Sequence, residues 1–162
     1  MGFRGPVVQI HSPRPFPLIS ISDVFLIFLL LNFRQINSPF SHKRKHPVLK
    51  ICWPHHGIDY AAPRGTPVSE AGDGMVIFSG KRECYGNLVI LQHLNGCTTY
   101  YAHLSKICSG AHSGKKVTQG EIIGQVGPTE IETDSHRHFE TRINDTHVNP
   151  ISVKIAHGGV IA

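Results

Sequence analysis

From about Ser38 onward the chain runs as short apolar segments of strand length, each closed by residues that end strands. Segments 74–79 (GMVIFS), 88–92 (LVILQ), 98–102 (TTYYA), 121–126 (EIIGQV) and 138–143 (HFETRI) are rich in β-branched and aromatic side chains. These side chains pack well on a pleated surface and poorly on a helix. Gly57, Pro63, Gly65, Gly80, Gly86, Gly114, Gly120 and Gly127 fall between or beside them as breakers. No segment sustains apolar positions at the helical period, which argues against a helix bundle. Asn95 and Gly96 stand between two segments and predict a hairpin turn, because both tolerate positive φ. The expected fold is therefore mainly β, an antiparallel sheet or sandwich.

Length allows one domain with a true core and a modest tail, the chain having 162 residues. A formal charge of +5 suits a polyanionic neighbour without choosing among them. The only dense basic run is 42–46 (HKRKH), which lacks interleaved aromatics. It reads as a solvated lead-in segment, and no nucleic-acid partner is expected. Cys52, Cys84, Cys97 and Cys108 show no CxxC spacing and read as four unrelated thiols.

Residues 1–36 differ from the rest. Arg4 and Arg14 precede an apolar stretch at about 18–33 whose uninterrupted part is only 24–31. Basic residues followed by an apolar run suit a signal anchor, with membrane association through residues 18–33. The unbroken run is shorter than the roughly 20 residues a spanning helix needs, and no small-x-small cleavage site follows. A non-native extension therefore stands beside the anchor as a second reading. The folded domain is expected over 37–155, with 156–162 as a tail.

The twelve histidines are more than packing requires, and their positions decide which matter. In HHGID, His55 and Asp59 share a side of an extended chain, although their spacing also suits a helix. In HRH, His136 and His138 lie on one face of a strand, Cα atoms roughly 6.6 Å apart. His103 follows the TTYYA segment at the end of a strand. Two imidazoles and one carboxylate are a sensible zinc set, since three protein ligands leave a fourth position for water and so point to catalysis. Taken singly, a histidine is more often a surface or hydrogen-bonded core residue than a ligand.

Ordered blocks add specificity. SPFSHKRKHPVLK (38–50), HHGIDYAAPRGTPVSEAGDGMVIFSG from His55, YGNLVILQH (85–93), TTYYAHLS (98–105), GKKVTQGEIIGQVG (114–127), SHRHFETRIN (135–144) and VNP (148–150) occur in sequence. Together they resemble the lysostaphin-type, or LytM-domain, zinc metallopeptidases of peptidase family M23. The resemblance implies one Zn2+ held by His55, Asp59 and His138, with His103 and His136 acting in catalysis. It makes His56 a neighbour of the site and not a ligand. It implies an antiparallel β-sheet with a groove, a peptidoglycan peptide substrate, hydrolysis of wall cross-links, and a place in the bacterial cell envelope, periplasm or cell surface.

Departures from the family pattern gather before HRH, where Glu130 and Asp134 replace glycines and Arg137 replaces an apolar residue. Cys52, Cys84 and Cys97 stand where an arginine, a glycine and an aromatic are more usual. An alternative follows from them: a weakened or inactive module that binds the wall or activates an amidase. A phosphocarrier on a related β fold is a third reading, but it has no use for HxxxD.

Overall fold

The structure is a computed structural model that describes residues 35–45, 52–127, 136–156 and 159–161. The apolar stretch at 18–33 lies outside the described residues, as do Glu130 and Asp134. Strands are β1 (Gln35–Ser38), β2 (Ser41–Lys45), β3 (Cys52–His55), β4 (Ile58–Ala61), β5 (Pro67–Ser69), β6 (Gly74–Arg82) and β7 (Gly86–Gln92). They continue as β8 (Cys97–Ile107), β9 (Lys116–Val117), β10 (Ile122–Val126), β11 (His136–Ile143), β12 (Thr146–Val148), β13 (Lys154–Ala156) and β14 (Gly159–Ile161). The one helical turn among the described residues is a 3-10 turn at Pro150–Ser152, capped by the Asn149 side chain. No helix among them is long and apolar enough to cross a membrane.

The expected antiparallel β architecture is found. A ten-stranded sheet runs in the order β1-β4-β11-β8-β7-β6-β9, with β12 on β11 and with β10 joining β5 to β8. Every pairing in it is antiparallel. Strand β8 is the longest, at 11 residues. Its first half pairs with β7 and β11 and its second half with β10, so one strand ties two parts of the sheet together. Asn95 and Gly96 form the β7–β8 turn with φ of 58° and 70°. Positive φ at both central residues matches the right-handed twist of the flanking strands.

Alternation along the central strands sorts residues into two faces. Ile58, Tyr60, Val89, Leu91, Tyr101 and Phe139 lie in the main core cluster, while their neighbours Asp59, Ile90, Ala102 and His138 turn the other way. The core is thus one side of the sheet whose other side carries the histidines. The basic run at 42–46 lies partly in β2, which pairs with β3, and His42 and Lys43 on it are exposed. Gly74, at the start of β6, is explained by close approach: an added Cβ would lie 2.8 Å from the Gln92 carbonyl oxygen and 2.9 Å from His93 Nδ1.

Candidate metal centre

Register places the site. His138 on β11 sits opposite Asp59 on β4 and opposite Ala102 on β8, which makes a row across three strands. His55 ends β3, and the chain bends at Gly57 before β4 begins. The HxxxD spacing therefore works through a bend, not through one extended strand or a helix. Glycine is required at the bend: a Cβ at Gly57 would run into the Phe139 carbonyl oxygen and lie 2.7 Å from both Cε1 and Nε2 of His138.

His55 Nε2 approaches Asp59 Oδ2 at 3.1 Å, and His138 Nδ1 approaches Asp59 Oδ1 at 2.6 Å. One donor atom from each residue lies within 4.8 Å of the others. Tetrahedral ligands about 2.0–2.2 Å from zinc stand roughly 3.4 Å apart, so this set closes on such an ion with small side-chain adjustments. The donor chemistry fits as well, since a carboxylate flanked by two imidazoles is what a borderline divalent metal accepts. The backs of the rings are tied down: His55 Nδ1 meets the Pro39 carbonyl at 2.8 Å, and His138 Nε2 meets Glu140 Oε1 at 3.0 Å.

His103 joins from β8. By simple alternation it would follow Tyr101 into the core, but it has φ of 55° and the pairing slips between Asn87 and Val89 and between Gln125 and Val126. That irregularity re-aims the side chain, as bulges do. Its ring centre lies 6.0 Å from that of His138. His136 is placed by its backbone, opposite Ala61 and two residues before His138 on the same face of β11; its side chain lies outside the described part. The same holds for the Arg137 side chain. His56 is exposed and stacks on His147, ring centres 4.0 Å apart.

Electrostatics follow from these contacts. Burial would raise the Asp59 carboxyl, but hydrogen bonds from His138 and His55 outweigh it and hold the group well below the usual carboxylate range. Burial would lower His138, yet its bonds to Asp59 and Glu140 win and lift it to about 9. Glu140 is opposed by burial too, and His138 and Arg142 bring it down to about 2. Glu140, Arg142, Tyr85 and His147 were not singled out from the sequence. The available signal was the period of two in His138, Glu140 and Arg142, which puts all three on one face of β11.

A mainly antiparallel β domain with a half-buried His/Asp/His donor set defines a class of β-sheet domains with a candidate metal site on one face. Within that class the chain belongs to peptidase family M23, whose model matches residues 53–150. It is 46% identical over 125 residues to the DD-carboxypeptidase/endopeptidase Mpg of Neisseria meningitidis, covering 77% of this chain and 28% of that protein. It is 41% identical over 121 residues to the peptidoglycan DD-endopeptidase ShyA of Vibrio cholerae, covering 75% and 28%. The chain thus spans little more than a quarter of these relatives. Among solved structures, a zinc-containing peptidase from Vibrio cholerae matches with a TM-score of 0.69 at 38% identity, covering 76% of this chain and 37% of that one. The catalytic domain of lysostaphin from Staphylococcus simulans matches with a TM-score of 0.63 at 27% identity, covering 76% and 92%.

Proposed function

We propose that residues 37–155 form a zinc metalloendopeptidase domain that hydrolyses peptide cross-links of bacterial peptidoglycan during wall remodelling in the cell envelope. His55, Asp59 and His138 are the metal ligands in this reading, and His103 and His136 are the catalytic residues. The observation that carries it is the convergence of one donor atom from each of the three ligands to within 4.8 Å. The substrate class is supported by the relatives, of which ShyA is named a peptidoglycan DD-endopeptidase.

Zinc, when bound, supplies a Lewis acid and lowers the pKa of water to about 7. The chain's own residues do the rest. Asp59 and the two imidazoles fix the position of the ion, and Pro39 and Glu140 fix the imidazoles. His103, across the same face, and His136 take up the proton of the attacking water and donate a hydrogen bond to the oxygen that becomes negative on the scissile carbonyl.

The test uses the whole chain. Zinc is measured by elemental analysis, and peptide release from purified peptidoglycan is compared with a His55→Ala variant and with chelator-treated protein. Stoichiometric zinc and release that both controls abolish are expected. A wild-type chain that holds no zinc and releases no more peptide than His55→Ala removes the reading. Wall binding without release favours the wall-binding or amidase-activating module instead.

A further inference from the structure

Glu140 is almost fully buried, with 2% of its surface exposed, yet it is surrounded by polar groups. Its Oε1 accepts from the Tyr85 hydroxyl at 3.1 Å and faces His138 Nε2 at 3.0 Å. Its Oε2 accepts from Arg142 Nε at 3.2 Å and Nη2 at 2.9 Å, and lies 3.3 Å from His147 Nε2. Arg142 Nη2 donates in addition to the Tyr85 oxygen at 3.0 Å, and its guanidinium lies 4.0 Å over the Tyr100 ring. Strand geometry builds this cluster, since Glu140 is paired with Tyr100 across β11 and β8.

We infer that Glu140 is a positioning residue for the metal centre, one that holds the His138 ring so that Nδ1 faces the metal position. The inference rests on the reading of His138 as a ligand. A neutral imidazole carries one proton, and the nitrogen that binds a metal must be the bare one. Glu140 accepts a hydrogen bond from Nε2–H, so when His138 gives up one proton to become a ligand it is the Nδ1 proton that leaves and the Nε2 proton that stays. It also stops the ring from flipping, because a flip would turn a carbon toward each carboxylate. Arg142 and Tyr85 in turn hold Glu140 in one rotamer, with two donors from a rigid fork on one oxygen and a hydroxyl on the other. A buried ion pair that served only to neutralise Arg142 would not need His138 at hydrogen-bond distance.

The test is zinc affinity, read by competition with a chromophoric chelator, for the whole chain and for Glu140→Ala, Glu140→Gln and Val89→Ala. Partners of ligating histidines typically control affinity by about 10- to 100-fold, and Glu140→Ala is expected to lose that much. Glu140→Gln keeps an acceptor oxygen without the charge and is expected to recover part of the loss. Val89→Ala loosens the core on the opposite face and is expected to lower the melting temperature with zinc affinity unchanged. Zinc affinity of Glu140→Ala within about twofold of wild type overturns the inference, because outer partners of this kind are worth more. An equal loss in Val89→Ala also overturns it, by making the effect one of general stability. If Glu140→Ala does not fold, Glu140→Gln decides through the His138 Nε2–H proton resonance of the zinc-loaded protein. An upfield move with weaker zinc binding supports the inference, and an unchanged resonance and affinity refute it. Absence of zinc from the wild type would overturn the underlying assignment of the site, a result distinct from all of these.

Discussion

Replacing Gly57 by alanine tests whether the bend before β4 positions the metal centre. The added methyl group would meet His138 Cε1 and Nε2 at 2.7 Å and press on the Phe139 carbonyl oxygen. Carbon contacts settle near 3.5 Å, so β11 or the bend must shift by roughly 0.8 Å. The carbonyl is backbone in a paired strand and cannot rotate away. Overpacking of this kind costs about 2 kcal/mol, which lowers the melting temperature by roughly 5–10 °C for a domain of this size. Ligands must be held within about 0.5 Å of their productive geometry, and a misplacement of about 1 Å costs roughly 100-fold in rate. Gly57→Ala should therefore melt lower, bind zinc weakly and release little peptide from peptidoglycan. The assay is a thermal melt followed by zinc competition and peptide release on the same preparation. A variant that melts within about 2 °C of wild type and holds zinc normally would refute the reasoning, since a shift of roughly 0.8 Å cannot be absorbed without one of these effects.

Other perturbations probe different parts of the molecule. Cys84 is exposed and has φ of 65°; the left-handed region costs a side chain about 1–2 kcal/mol, partly offset by the chain entropy of glycine. Cys84→Gly should stabilise by about 0.5–1 kcal/mol, and a denaturation midpoint that stays put or falls counts against this. His138 in the metal-free protein is raised to about 9 against an unperturbed 6.5. Its contribution to stability is thus fully present below about 6.5 and lost as pH rises through about 9. Metal must displace the Nδ1 proton, so zinc affinity should climb with pH up to about 9; a flat titration between pH 6 and 8 would contradict it.

Much of the site was legible because local spacing carries it. His55 and Asp59 lie four residues apart, His136 and His138 two apart, and the ordered blocks of the family join them. The Asn95-Gly96 turn was legible for a similar reason, since its φ demands are met by two adjacent residues. What escaped depends on neighbours distant in sequence. Glu140 looks like an ordinary strand carboxylate until Tyr85 and Tyr100 are brought across from β7's lead-in and β8. His103 was named through the family blocks, but the register slip and positive φ that bring it beside His138 have no residue signature. The bend at Gly57 was hidden because an HxxxD spacing is compatible with a strand, a helix or a corner alike. Cys84 lies between these cases: the expectation of glycine there was sound, and its left-handed backbone supplies the reason.

The two faces of the sheet also say where this chain can drift. Asp59 is followed by Tyr60, His138 by Phe139 and Glu140 by Thr141, so residues of the candidate site alternate with fully or almost fully buried ones along the same strands. Site and core are the obverse and reverse of one sheet. Along β4, β8 and β11 hardly any position is idle, and a change aimed at one side is felt on the other within a single residue. Neutral variation is pushed out to the turns, and it is there, at the exposed corner between β6 and β7, that Cys84 sits. The sequence of such a domain can age at its corners while the chemistry at its centre stays young.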